Sequence, residues 1–325
     1  MPYKYNKVLV TGGAGFVGSH LVDELLSRGF EVTVLDNLSY GKKDNFVHNT
    51  HNTSFTFIEG DIRDKEIVKK AMEDMDVVFH EAALVSVPIS VKNPLLTNDI
   101  NVSGTINLMK TAVDLGVKKF VFASSAAVYT ISRHPKKDES ENCDPTSPYG
   151  VSKLADEKYA KCFYDLYGLK TVGLRYFNIY GPRQSCDLQA QYGGVIVIFL
   201  NRLLRNQSPI IYGDGKQTRD FVHVKDIVHA NLLAMESQDA AGMHLNVGTG
   251  LQVSINMVAE ILKERLGKED LKNTYEDARV GDSKHGYADI AKAEKILGFK
   301  PQYSFERGIT DLVNWYTAIR QNNLN

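Results

Sequence analysis

Two spacings of apolar residues alternate along the first half of the chain. The runs KVLVTGG, EVTVLDN, SFTFIEGD, VVFHEAA, KKFVFASSAAVY and KTVGLRYFN are short and rich in Val, Ile and Phe, and each reads as a buried strand. Between most of them the apolar positions fall at helical spacing. In SHLVDELLSRG the residues Leu21, Leu25 and Leu26 mark one face, and similar stretches cover 64–74, 98–115 and 149–167. Strands of this kind alternating with helices predict an α/β fold, a doubly wound parallel sheet with helices on both faces. Past residue 180 the texture changes. GPRQSCDLQAQYGG is polar and irregular, followed by a helix at about 194–206, the segment PIIYGDGKQTRDF, and helices near 225–236 and 254–266. MHLNVGTG reads as one more strand of the first sheet, so the two parts of the chain are expected to interleave.

Composition narrows the class. The 325 residues are 43% hydrophobic and 24% charged with a net charge of −1, which fits a soluble globular protein of two domains. Near-neutrality leaves no broad basic field for nucleic acid or anionic lipid. No apolar run approaches bilayer-spanning length, and the N-terminus enters a strand-like run without room for a signal peptide. Cys143, Cys162 and Cys186 lack metal-ligand spacing and cannot all pair, so the expected location is the reducing cytoplasm. No metal site is expected. His223 and His229 have no carboxylate partners at metal spacing, and His80, at a strand end, reads as packed or hydrogen-bonded. Trp315 reads as core or interface.

Candidate chemistry begins at the first strand–helix turn, TGGAGFVGSH. Gly13, Gly15 and Gly18 give G-x-G-x-x-G, and Gly12, Gly15 and Gly18 give G-x-x-G-x-x-G. Such a turn lets the backbone approach a pyrophosphate and aims a helix N-terminus at it. The spacing alone is also that of a plain tight turn, but its place between a strand and an amphipathic helix points to dinucleotide binding and a Rossmann-type sheet. Asp36 ends the second strand, 18 residues after Gly18. A carboxylate there accepts hydrogen bonds from an adenosine ribose and repels a 2′-phosphate, which favours NAD over NADP. Asp61, in EGDIRD, lies at the same sheet edge and is placed either to contact adenine or to cap the following helix.

The second candidate is SPYGVSK. Ser147 and Pro148 open a helix as N-cap and first residue, and Tyr149 and Lys153 then share one face, four residues apart. By itself this is also an ordinary helix start. FASSAAVY closes another strand, placing Ser124 and Ser125 at the sheet edge where ligands bind, which completes a Ser-Tyr-Lys set. A phenol with a pKa near 10 is a poor base at neutral pH. A neighbouring ammonium, a helix N-terminus and a cationic nicotinamide each favour the phenolate.

With these residues in place, the sequence resembles the extended short-chain dehydrogenase/reductase superfamily, and within it the NAD-dependent UDP-sugar 4-epimerases. The motifs TGGAGFVGSH, LDNLS, GDIRD, HEAA, INVSGT, SSAAVY, SPYGVSK, RYFNIYGPRQ, YGDGKQTRDFVHV, NVGTG and GDSKHGYADIAKA follow in the family's order over nearly the whole chain. The resemblance implies an NAD-binding domain over 1–180 with a return segment near 223–250, and a smaller α/β domain over 181–325 that mainly binds a UDP-sugar. It implies tightly held NAD+, contacted by Gly12, Gly15, Phe16, Val17, Gly18, Asp36, Asn37, Asp61, Ile62, Ala82, Ala83, Asn101, Ser124, Tyr149, Lys153 and Tyr176. Ser125, Tyr149 and Lys153 would be catalytic: Tyr149 as the base, Lys153 bonding the nicotinamide ribose and acidifying the phenol, and Ser125 bonding the sugar O4. Ser86, Asn178, Val195, Tyr212, Arg219, Arg279, Asp282 and Gly286 would hold the UDP-sugar together with Ser125 and Tyr149. As isolated side chains the two arginines would read as surface charges; the resemblance assigns them the diphosphate, which a guanidinium suits. It also implies a homodimer through the helices near 98–115 and 149–167.

Several reactions of that superfamily begin with oxidation at the sugar C4. Its dehydratases carry Thr-Asp-Glu where this chain has Ser125, Ala126 and Ala127, so the acid/base pair for eliminating water is missing. No uronate-binding arrangement for decarboxylation is found, and C4 epimerisation remains. HEAALVSVPISVKNP resembles a loop of epimerases acting on UDP-N-acetylglucosamine and its uronic acid, and Gly286 aligns with a gate that is bulky in enzymes restricted to UDP-glucose and UDP-galactose. The sugar expected is therefore an N-acetylated UDP-hexose, alongside or in place of UDP-glucose. A UDP-glucuronate 4-epimerase shares YGPRQ but typically has Thr at the position of Asn178. A non-catalytic NAD-binding regulator would be expected to have lost Tyr149 or Lys153, and both are present.

Overall fold

A computed structural model describes residues 4–129, 134–185, 194–278 and 284–322. Its central sheet has seven strands, β1 (Lys7–Thr11), β2 (Glu31–Asp36), β3 (Phe55–Glu59), β4 (Val77–His80), β5 (Lys119–Ser125), β6 (Thr171–Tyr176) and β7 (Met243–Val247). They lie in the order β7-β6-β5-β4-β1-β2-β3, and every neighbouring pair is parallel. The α/β, doubly wound class is thus the observed one. Chain order runs one way from β1 through β2 to β3 and the other way from β4 to β7, so the winding reverses between β1 and β4. In such sheets the crevice beyond the strand carboxyl ends at that reversal is the ligand site.

The helices of eight residues or more are α1 (Phe16–Ser27), α2 (Lys65–Met72), α3 (Gly104–Asp114), α4 (Pro148–Tyr167), α5 (Val195–Leu204), α6 (Val224–Glu236), α7 (Ile255–Leu266) and α8 (Phe305–Asn322). Strand alternation explains why the strands read as unbroken apolar runs. Val8 and Val10 of β1 enter one buried cluster with Leu21 and Leu25 of α1 and Ile227 of α6. Leu9 points the other way, into a cluster with Met72 of α2, Leu108 of α3 and Phe163 of α4. A sheet covered on both faces needs apolar residues at every position. A further cluster joins Phe199 and Leu200 of α5, Val258 and Leu262 of α7, and Ile309 and Leu312 of α8. Short ladders attach it to the sheet, among them Asn178–Tyr180 beside Phe221–His223.

Two local readings change. The single helix expected over 98–115 is a helix Pro94–Asn98, a π-helical turn Asp99–Ser103, and then α3. Apolar spacing does not register one residue of extra winding; within this turn the Asn101 side chain is bonded to the backbone of Leu84. The segment HEAALVSVPISVKNP, read as a loop, contains a short helix, Val87–Lys92, capped by Ser86.

Candidate active site

At the nucleotide end the chain needs glycine for steric reasons. Gly12 has φ +71°, and a Cβ there would stand 2.7 Å from the Ala82 nitrogen, so the β1 and β4 ends approach as closely as backbones can. A Cβ on Gly18 would lie 2.2 Å from the Gly12 carbonyl oxygen, which fixes α1 tightly against the turn. Gly15 caps α1 without a side chain, and the first turn of α1 has no acid, so its N–H groups are left for an anion. Beside this turn is a cleft lined by Gly12, Gly15, Asp36, Asn37, Asp61, Ile62, Ala82 and Ala83 among others. Phe16 and Val17 lead from it into α1, both half-buried.

Two carboxylates mark the cleft's far rim. Asp36 accepts the N–H groups of Ala14 at 3.0 Å and Leu38 at 2.8 Å; burial nevertheless pushes its carboxyl up from the usual range. Asp61 is forked by the Arg63 guanidinium at 2.9 Å and accepts from Asn37 Nδ2 at 2.9 Å; the bond from Arg63 holds its carboxyl down to about 2.

At the chemical end Ser147 caps α4, its hydroxyl accepting the Gly150 N–H at 3.1 Å, with Pro148 as first helical residue. Tyr149 is half-buried, and its N–H donates to Ser90 Oγ at 3.2 Å. Lys153, one turn on, is 2% exposed with its ammonium 3.6 Å from the Asp156 carboxylate. Ser125 ends β5, and its Oγ accepts from the Ala127 N–H at 3.1 Å.

Several predicted contact residues are occupied by protein partners. Ser124 is buried, and its hydroxyl donates to Glu157 Oε1 at 2.6 Å. Asn101 is fully buried: Leu84 N–H donates to its Oδ1 at 2.8 Å, and its Nδ2 donates to Leu84 O and Ser152 Oγ, so its side chain ties the β4 loop to α4. Ser86 is buried, with its hydroxyl accepting the Ile89 N–H at 3.3 Å. The Tyr176 hydroxyl donates to Glu81 Oε1 at 2.8 Å and accepts from Asn231 Nδ2 at 2.7 Å. His80 is hydrogen-bonded on both ring nitrogens, to Thr11 and Thr105, and burial, followed by the nearby Lys153 charge, lowers its pKa to about 3. Among the described residues no group of three or more His, Cys, Asp or Glu is arranged to hold a metal ion.

Of the residues expected to hold the UDP-sugar, Asn178 is exposed, and its Nδ2 donates to the Asp220 carbonyl at 3.0 Å. Arg219 and Tyr212 are half-buried, and Arg219 donates to the Thr218 carbonyl at 2.8 Å. Val195 opens α5. A Cβ on Gly286 would meet nothing within 4 Å. Arg279 and Asp282 lie outside the described residues.

Three acids emerge that sequence reasoning passed over, each beside a residue it named. Asp220, next to Arg219, is wholly buried and accepts four hydrogen bonds: from Thr249 N–H and hydroxyl at 2.8 and 2.6 Å, from Gly250 N–H at 2.9 Å and from Ala288 N–H at 3.0 Å. Its carboxylate ties Thr249 and Gly250 to Ala288, two residues after Gly286, while its backbone carbonyl accepts from Asn178 Nδ2. Glu81, in HEAA, is pushed up to about 7 by burial, against the Tyr176 bond and the Lys153 charge. Asp156, three residues after Lys153, is the third. A charged residue inside an apolar-faced helix, as in SKLADEK, is the signal that was available for it.

A model of the NAD dependent epimerase/dehydratase family matches residues 8–248. A protein of Methanocaldococcus jannaschii with the provisional name UDP-glucose 4-epimerase is 44% identical over 310 residues, 95% of this chain and 97% of its own. Among solved structures, a UDP-N-acetylglucosamine 4-epimerase from Methanobrevibacter ruminantium M1, in complex with UDP-N-acetylmuramic acid, superposes with a TM-score of 0.92 at 41% identity, covering 98% of this chain and 100% of that one. A UDP-glucose 4-epimerase from Thermotoga maritima with UDP-glucose gives 0.89 at 39% identity, covering 97% and 99%.

Proposed function

Because the chain belongs to the NAD dependent epimerase/dehydratase family, we propose that it inverts C4 of a UDP-hexose through a transient 4-keto sugar. The observation that carries this is the set Ser125, Tyr149 and Lys153 at the carboxyl edge of β5 and the start of α4, with Ala126 and Ala127 where elimination chemistry would need acids. The cofactor's residues fit the group: glycine where a Cβ would strike Ala82, an acid-free α1 N-terminus, and the Asp36 carboxylate at the rim. NAD, when bound there, supplies a reversible hydride acceptor.

Tyr149 takes the C4 hydroxyl proton and later returns it, and Ser125 bonds the same oxygen. Lys153 supplies the positive charge that favours the phenolate. Rotation of the keto sugar before C4 is reduced again inverts the centre, and no further acid is needed. We read 1–180 with a return segment near 223–250 as the nucleotide part and 181–325 as mainly the UDP-sugar part. Asn178, at the end of the first, joins Val195, Tyr212, Arg219, Arg279 and Asp282 in holding the UDP-sugar. Ser86 shapes that pocket by capping the helix beside it. The test is to incubate the purified protein with UDP-glucose, UDP-N-acetylglucosamine and UDP-glucuronate separately, without added NAD. Formation of the C4 epimer supports both epimerisation and retained cofactor, since each cycle leaves NAD unchanged. No epimer from any of the three defeats the reading.

For the sugar, the open space at Gly286 favours an N-acetylated substrate, UDP-N-acetylglucosamine and UDP-N-acetylgalactosamine, with UDP-glucose also accepted. Gly286→Tyr should lower kcat/KM for UDP-N-acetylglucosamine by about 10–200-fold relative to UDP-glucose, the range a pocket's size alone commands. An unchanged ratio would remove Gly286 from the specificity argument.

Cytoplasmic location and a homodimer complete the reading. Among the described residues no helix is long and apolar enough to cross a membrane. Leu95, Val151, Leu166 and Tyr167 stand exposed on the helix Pro94–Asn98 and α4, apolar surface that supports pairing of two copies.

A further inference from the structure

One buried carboxyl has no part in this chemistry. Asp156 lies on α4 three residues beyond Lys153, is 1% exposed, and neither of its oxygens has a hydrogen-bond partner. Its nearest cation is the Lys153 ammonium, 3.6 Å from Oδ2. Thr105 of α3 faces it, but the Thr105 hydroxyl donates its proton to the Asn101 carbonyl. A buried acid whose nearest cationic donor is an ammonium at 3.6 Å favours its neutral form, and burial, opposed by Lys153 and Thr105, pushes Asp156 up to about 7.

The surrounding charges are few. From its own helix Asp156 faces Lys153 and Glu157. Glu157 is held by Arg175 of β6, at 2.7 Å for each of two bonds, and by Ser124 of β5. Beyond Thr105 lies His80 of β4, neutral at ordinary pH. Glu81, after β4, also feels Lys153. Lys153 thus lies along α4 between Tyr149, four residues before it, and Asp156, three residues after it.

We propose that Asp156 is a positioning residue that holds the Lys153 ammonium from behind and sets, by gaining or losing its own proton, how much of that charge reaches Tyr149 and the sugar. The proposal rests on the epimerase reading above. Protonated, Asp156 leaves the ammonium's field undivided. Ionised, it draws the ammonium into an ion pair within α4, and the reacting end loses part of its electrostatic support.

The test compares wild type, Asp156→Asn and Glu81→Gln as NAD-loaded enzymes between pH 6 and 9. In wild type kcat should step down through about pH 7 beyond what the same enzyme shows with Asn at 156. Asp156→Asn, equal in shape and unable to ionise, should lose that step and exceed wild type at pH 8.5 by about threefold to tenfold, with KM and NAD content unchanged. The step should persist in Glu81→Gln. Superimposable profiles for wild type and Asp156→Asn, a loss of kcat in Asp156→Asn that is equal at every pH, or a step abolished only by Glu81→Gln each overturns the proposal. Infrared difference spectra, wild type minus Asp156→Asn, supply a readout free of turnover. A protonated carboxyl band at pH 6 that fades by pH 8 is expected, and its absence overturns the proposal even in an active epimerase. A band in a protein that epimerises no UDP-sugar defeats the epimerase reading and, with it, the effect on rate.

Discussion

Tyr149→Phe is expected to reduce kcat for C4 epimerisation by about 10²–10⁴-fold, the span that a positioned general acid–base group contributes. The phenyl ring keeps the volume of the side chain, and the structural bond of Tyr149 runs from its backbone N–H to Ser90, so α4 should keep its start. Ser147 and Pro148 still cap the helix. Bound NAD, measured by absorbance after denaturing the purified protein, should match wild type, and KM for the UDP-sugar should move little, because the lost interaction acts on the transition state. On the proposed reading, Lys153→Met should lower kcat as well and also loosen the cofactor, since it removes a buried cation one helical turn from Tyr149. Equal turnover by wild type and Tyr149→Phe would take the tyrosine out of the chemistry and revive a purely NAD-binding role.

What the sequence made legible follows from how each feature is encoded. β1 through β6 were readable because a doubly covered parallel sheet demands unbroken apolar runs, and Val8, Leu9 and Val10 fill two different clusters from adjacent positions. The α4 start was readable because Ser147 and Pro148 are local signals. The π turn around Asn101 was not, since apolar spacing carries no mark of it and the partner of Asn101, Leu84, lies seventeen residues away. The same limit applies to the site. Gly12, Asp36, Asp61 and Ala82 converge on one cleft at the winding reversal, as a fingerprint tied to that fold requires. Motif order said that Ser124 and Ser125 lie together. It did not say that the first is turned to Glu157 while the second caps the turn at Ala126–Val128. Asp156 gains meaning only through burial, and Glu81 and Asp220 through partners distant in sequence, which no local pattern records.

Arg175→Met should cost about 3–5 kcal/mol of stability, the expense of leaving one half of a buried ion pair behind. Arg175 is 2% exposed and donates to Glu157 through Nε and Nη2, both at 2.7 Å, and to the Tyr129 hydroxyl at 2.8 Å, while lying over the Tyr129 ring. Burial alone would raise the Glu157 carboxyl; the Arg175 bonds outweigh it and hold the carboxyl below its ordinary value. A depressed carboxyl adds stability above its unfolded pKa and surrenders it as pH falls through the folded value. Without Arg175 the same buried carboxyl is raised, so its sign reverses and stability is lost as pH climbs. The deficit of Arg175→Met relative to wild type should therefore widen from pH 5 to pH 8, measured by denaturant unfolding at each pH. Arg175→Met combined with Glu157→Leu removes both charges and should recover much of the loss, because the uncompensated charge rather than the missing bonds dominates it. A deficit that stays constant with pH, or a double variant no better than the single one, would show instead that Arg175 acts through packing on Tyr129. The consequence for catalysis lies one residue away: Glu157 also accepts the Ser124 hydroxyl, so the buried pair anchors the strand end that presents Ser125. Arg175→Met should consequently lower kcat even at temperatures where the protein remains folded.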